Sequence, residues 1–387
     1  MRRTTEHGPL TWFAVFTAVA TFCLIGVGGL VTSHEAGMAV PDWPTSYGYN
    51  MFLFPVSKWV GGIFYEHTHR LVASGVGLLT TILMVSLWLK EERRWLRWLG
   101  VVAFLAVVGQ GVLGGLRVTL YKQELGIFHA ALAQAFFLCV SSIALFLSRT
   151  WQRLVAAGPS IQFHPAFRAL VLGATTLIFL QLLLGATMRH QHAGLAVPDF
   201  PLAYGKLWPR TDAAFIEEVN RQRTDYRDYQ PITATQIYVH MAHRLNAILV
   251  LAAVAACALL VGQGETTSRI TRFTRTWLFV ILAQALLGAY TVWSNKAADV
   301  ATAHVALGAV SLVCGGLLFI STAPIALHWA GQAPRLSRAG ASPAAEKSRE
   351  EEPSIHLEEV TNARRGAGRD KRGACPTQQR AGSPVAT

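Results

Sequence analysis

Residues 36–44 read AGMAVPDWP, and residues 193–201 read AGLAVPDFP. Each segment follows an apolar run, and each leads to a Tyr-Gly, at Tyr47-Gly48 and Tyr204-Gly205. The correspondence extends outward in the same order. His69-Arg70-Leu71 matches His243-Arg244-Leu245, and QGVLGGLRV at 110–118 matches QALLGAYTV at 284–292. His129 then matches His304, with one residue of loop added. Ordered self-similarity of this kind marks an internal repeat. Each copy holds four apolar runs, and four is even, so both copies share one orientation. The predicted architecture is all-α: eight transmembrane helices in two pseudo-symmetric four-helix bundles, a parallel repeat about an axis along the membrane normal.

The runs cover about residues 11–32, 67–89, 98–116, 127–148, 169–188, 237–261, 277–294 and 301–323. Each is long enough to cross a bilayer as a helix, which satisfies its own backbone groups in lipid. Composition agrees: 52% of the chain is hydrophobic and 14% charged, against roughly 25% charged in a soluble domain. The net charge of +12 would suggest nucleic acid in a soluble protein. Here the basic residues lie between apolar runs and in the tail, so they report topology instead. Lys90, Arg93, Arg94, Arg97, Arg149, Arg153, Arg168, Arg269, Arg272 and Arg275 fall on one side with Arg2 and Arg3. Both termini are therefore expected in the cytoplasm. The expected divisions are an N-terminal bundle at 1–150, a C-terminal bundle at 151–325 and a disordered cytoplasmic tail at 326–387, rich in Pro, Ala, Gly and Ser. Four cysteines, Cys23, Cys139, Cys257 and Cys314, lie inside apolar runs and Cys375 lies in the tail, so no disulfide framework is expected.

Four histidines recur at one depth. His69, His129, His243 and His304 stand near the starts of spans 2, 4, 6 and 8, all of which enter from the outer side. Ionisable residues inside spans mark functional sites. Two imidazoles facing each other across a four-helix bundle make an axial haem site or part of a metal site. Zinc or a di-metal centre would want more carboxylates or thiolates, of which the spans hold almost none. Arg70 and Arg244 follow two of the histidines, and a guanidinium can fork onto a haem propionate or snorkel to headgroups. Glu66 stands three residues before His69, and the matching position in the second half is His240. One pocket thus has a carboxylate where the other has an imidazole. The AVPD loops read as rigid lids, with Asp42 and Asp199 bracing a turn.

With these residues in view, the chain resembles the haem A synthase family over roughly residues 11–323. The resemblance rests on Glu66-x-x-His69-Arg70, His129, His243-Arg244 and His304. It implies a multi-pass enzyme of the bacterial plasma (inner) membrane with its haem pockets toward the outer side. The implied reaction oxidises the C8 methyl of haem O to the formyl of haem A by successive hydroxylations. It further implies substrate haem O on His69 and His129 with Glu66 as the catalytic carboxylate. A haem b cofactor would lie on His243 and His304 as electron relay, with His240 beside it. Implied partners are haem O synthase and cytochrome oxidase assembly factors, besides membrane lipid; nucleic acid is not among them. The electron acceptor stays open, with a quinone among the choices. Some family members carry a cysteine pair in the outer loops, and this chain has none. Two other readings compete: a di-haem electron-transfer subunit, which would not need Glu66, and a transporter for haem or another hydrophobic ligand.

Overall fold

The computed structural model describes residues 8–122, 124–157, 163–223, 231–261 and 268–322. The expected tail at 326–387 lies outside them, as do Arg2 and Arg3. Eight long helices carry the apolar runs: α1 (Gly8–Ser33), α2 (Gly61–Lys90), α3 (Arg94–Thr119), α4 (Leu125–Leu147), α6 (Pro165–His190), α8 (Ala234–Leu260), α9 (Ser268–Trp293) and α10 (Ala298–Thr322). All eight are long and apolar enough to span a membrane. The chain is a multi-pass membrane protein, and among the described residues it is all-helical apart from two isolated β-bridges.

Several helices begin before their apolar run does. Helix α2 starts at Gly61, ahead of its apolar run, and carries the mostly polar stretch Tyr65 to Arg70, in which Glu66 and His67 are buried. Helix α9 starts at Ser268, and its first turns carry Arg269, Arg272 and Arg275. Two short amphipathic helices, α5 (Arg149–Ala157) and α7 (Ala213–Gln222), lie outside the spans. The Asp212 carboxylate accepts the Phe215 N–H and caps α7. The Asn220 side chain then pins Ile232 through both its N–H and its carbonyl, at 2.7 and 2.9 Å. A Thr233–Gln236 capping box opens α8.

Helices α1, α2, α3 and α4 pack in sequence and close into a ring, as do α6, α8, α9 and α10. The rings meet through α1 on α10, α4 on α10 and α4 on α6. Small residues set these approaches, as lipid-embedded helices require. A Cβ on Gly316 would lie 2.4 Å from Leu138, and one on Gly29 would lie 2.9 Å from Thr302. Each ring is packed solid at one end. Leu83, Leu87, Leu96, Val140 and Ile143 fill the first, and Val171, Val254, Trp277 and Leu318 fill the second. The histidines lie toward the other end, under the loops at 34–60 and 191–212.

Candidate functional site

The two AVPD loops are built from the same bonds. Asp42 accepts the N–H groups of Tyr47 and Gly48 at 2.7 and 2.8 Å, and Asp199 accepts those of Tyr204 and Gly205 at the same distances. Tyr47 donates its hydroxyl to Ala39 and Tyr204 donates its hydroxyl to Ala196. Each Tyr-Gly pair has positive φ at both positions, 50° and 77° in one loop and 53° and 72° in the other. That conformation closes a tight hairpin and explains the glycine. Burial alone would raise the pKa of Asp42. The bonds from Gly48, Thr45 and Tyr47 outweigh it and hold the carboxyl below its ordinary 3.8.

Each loop is fastened to its ring by the arginine after the histidine. Arg70 donates to the carbonyls of Val40, Asp42 and Thr45 at 2.7, 2.6 and 3.0 Å. Arg244 donates to those of Leu202, Asp199 and Val197 at 2.8, 2.6 and 3.3 Å. Both guanidiniums, offered by sequence to propionates, thus hold loop carbonyls. Glu66 is 4% exposed, so it is not a solvated helix-start residue. One of its oxygens takes Arg70 at 2.7 Å and the other takes the Val40 N–H at 2.8 Å. His240 is equally buried at the matching place and hydrogen-bonds Ala193. His67 is fully buried, bonds the Ser46 hydroxyl at 3.1 Å and packs on Phe54 and Trp59.

The histidines meet in the pairs the sequence indicates. The His69 and His129 rings are 6.5 Å apart at an interplanar angle of 72°, and His243 and His304 are 6.4 Å apart at 67°. Each ring lies against a glycine of the neighbouring helix: His69 on Gly28, His129 on Gly114, His243 on Gly185 and His304 on Gly288. A Cβ there would come within 3.0–3.4 Å of the imidazole Cε1. Gln110 and Gln284 donate to the main-chain carbonyls of His129 and His304 at 2.9 and 2.8 Å. Gln181 does the same for His243 at 3.0 Å, itself held by Asn246 at 2.8 Å. The positions matching Gln181 and Asn246 in the first half are Leu24 and Val72.

Each of the four imidazoles has a buried Nδ1 without a hydrogen-bond partner. An unpaired buried polar atom costs roughly 1–3 kcal/mol, and these four recur at equivalent places in the two halves. A metal–imidazole bond is roughly 2 Å long, so one metal between two imidazoles sets the ring centroids roughly 6 Å apart. Both pairs fit that spacing. Among the described residues no cluster of three or more His, Cys, Asp or Glu is placed to hold a metal ion. Two axial ligands with the remaining positions filled by a porphyrin match the donor set.

Sequence reasoning missed Arg117, whose guanidinium lies beside Gly37 in the first pocket, and His190, which packs on Gly126 one turn before His129. Arg117 carried a signal, because it is the one cation of the QGVLGGLRV segment and its match is Thr291. His190 has Ser33 at the corresponding place, so the repeat gave it no partner.

Fold and site define an eight-span membrane protein with two pairs of facing histidines, each under an arginine-fastened loop. The chain belongs to the COX15-CtaA family, described as cytochrome oxidase assembly protein, whose model matches residues 11–315. Relatives named Heme A synthase include that of Geobacillus kaustophilus (strain HTA426), 27% identical over 312 residues covering 76% of this chain and 86% of that protein. The Shouchella clausii (strain KSM-K16) protein is 25% identical over 268 residues, 67% of this chain and 86% of that one. The Bacillus mycoides (strain KBAB4) protein is 24% identical over 303 residues, 76% and 87% respectively.

Proposed function

We propose that this chain is a haem A synthase of the bacterial plasma membrane, oxidising the C8 methyl of haem O to a formyl group. The observation that carries the reading is an asymmetry between two otherwise matched pockets. Both hold a histidine pair at one ring separation, 6.5 and 6.4 Å, but only one has a buried carboxylate. We read His69 and His129 as the substrate side and His243 and His304 as the ligands of a resident haem b. Bound there, haem b supplies one-electron redox chemistry. The Gln181–Asn246 brace suits a cofactor that stays, and its absence from the first half suits a substrate that must leave. The two halves are read as copies of one four-span unit, with both termini cytoplasmic and both pockets toward the outer side.

The chain's own residues do the positioning. The Glu66 carboxylate is held in place by Arg70 on one oxygen and by the Val40 N–H on the other. A fixed anion stabilises positive charge that develops as the neighbouring porphyrin edge is oxidised. Each glycine lets its histidine approach the neighbouring helix, and the Arg70-fastened loop keeps bulk water from the pocket. Trp43 completes that cover by lying on Gly115, where a Cβ would come within 2.4 Å of it. Converting a methyl to a formyl removes four electrons and adds one oxygen atom, so an acceptor such as a quinone must take the electrons. The near-identical ring separations also suit a di-haem electron-transfer subunit. Extraction of haems from membranes containing the chain and supplied with haem O separates the two. Haem A in the extract supports the synthase; haem O alone, beside a bis-histidine spectrum, supports the electron-transfer subunit.

A further inference from the structure

Arg117 lies near the C-terminal end of α3, one turn beyond the Gly114 that receives His129. Its Nε is buried without a partner. Its other guanidinium nitrogens rest against Gly37 at the foot of the first loop, where a Cβ would lie 2.6 Å away. It is close enough to feel the charge of Glu66, and its own charge reaches His69, His129 and His190. Glu66 makes no direct bond to it, because one oxygen takes Arg70 and the other takes the Val40 N–H. Arg70 and Arg117 thus stand near a single buried carboxylate, Glu66. A buried, uncompensated charge is costly unless something pairs with it. The second pocket has Thr291 at this place, and its hydroxyl is spent on the Leu287 carbonyl at 2.8 Å.

We propose that Arg117 is the anion site of the first pocket, taking a carboxylate of the molecule held between His69 and His129. This rests on reading those histidines as ligands of a substrate haem, whose propionates supply the carboxylates. A planar guanidinium forks onto a carboxylate and cannot lose its proton, which suits a site that must recognise an acid inside a membrane. Arg70 and Arg244 are excluded from that task by their loop bonds. Arg117 therefore separates the pockets by ligand recognition, as Glu66 separates them by chemistry.

The test is a titration of the full chain in nanodiscs, carrying His304→Ala so that only the first pocket offers two histidines. The probes are iron protoporphyrin IX and its dimethyl ester, followed by the Soret band. With Arg117 in place the free acid should bind tighter than the ester by roughly ten- to hundredfold, the worth of one charge-assisted bond. Arg117→Gln should lose that preference, Arg117→Lys should keep part of it, and Thr291→Val should not change it. Equal binding of acid and ester with Arg117 present overturns the assignment, and so does a full preference in Arg117→Gln. If the anion is a lipid phosphate instead, Arg117→Gln lowers the phosphatidylglycerol retained by the protein and leaves the acid-to-ester ratio alone, which also overturns it. If the free acid gives no spectrum that depends on His69 and His129, the ligand reading falls and the proposal with it. A normal spectrum with no acid preference removes Arg117 alone.

Discussion

Glu66 and His240 occupy matching places, yet one is an anion and the other an imidazole. Glu66→Gln keeps the shape and one acceptor oxygen while removing the charge. The mutant should fold, retain the second-half haem b spectrum and accumulate haem O. The rate loss should be about 10²–10⁴, the usual worth of one electrostatic or general-base group. Haem analysis by chromatography checks it, and haem A at the wild-type rate would leave Glu66 as a loop fastener only. Asp42 makes a different kind of prediction. Its folded pKa is depressed, so the stability it lends the loop is fully present above the unfolded value of 3.8. That stability is lost as pH falls through the lower folded value. Protease resistance of the 36–50 loop should therefore stay constant from pH 7 to about pH 4 and drop only below. Asp42→Asn should weaken the loop by roughly 1–3 kcal/mol above about pH 4, because an amide N–H faces a backbone N–H, and should remove the drop at lower pH.

Helices α6 and α8 carry a polar clip that α1 and α2 lack, Gln181 to the His243 carbonyl and to Asn246. Gln181→Leu copies the first half into the second. Haem b should then leave the second pocket roughly tenfold faster, the worth of about one hydrogen bond, as read by transfer to apomyoglobin. An unchanged off-rate would mean that the clip serves helix packing alone. The same elements show what the sequence could and could not disclose. The existence of eight spans was legible because apolar runs of that length have few other uses. Their ends were not, because Tyr65 to Arg70 and Arg269 to Arg275 are helical yet polar or basic. Helix α7 was invisible because an amphipathic stretch of ten residues, half of them polar, is too short to stand out from a loop. In the site, the histidine pairing and the braced Asp42 and Asp199 turns followed from matched positions. What stayed hidden were contacts between segments distant in sequence, such as Arg70 on the 40–45 carbonyls and the four glycines under the four imidazoles. Gly28 and Gly185, like Gly114 and Gly288, stand at equivalent places in the two halves, so that signal was present but carried no chemistry of its own.

The whole molecule has unlike ends. At one end Lys90, Arg93, Arg94, Arg97, Arg149, Arg153, Arg168, Arg269, Arg272 and Arg275 face only Glu91 and Glu92 among the described acidic residues. At the other end, Lys58, Arg117, Lys122, Lys206, Arg210, Arg221 and Lys296 are mixed with Glu35, Asp42, Glu124, Asp199, Asp212, Glu217 and Asp299. Cations near span ends hold a loop on the cytoplasmic side, while acidic residues count for little, so the mainly basic end should be inside. On that placement the His pairs should lie toward the outer side, and a haem should reach either pocket from the outer leaflet. Leu207 offers the test, because it is 87% exposed and directly follows the second hairpin turn. Leu207→Cys should react with a membrane-impermeant maleimide in intact spheroplasts, above the wild-type background set by the cysteines within the spans. Ser148, between α4 and α5 at the basic end, gives the converse site, and Ser148→Cys should label only after lysis. The reverse pattern at both positions would invert the molecule and place both histidine pairs, with the loops fastened over them, on the cytoplasmic face.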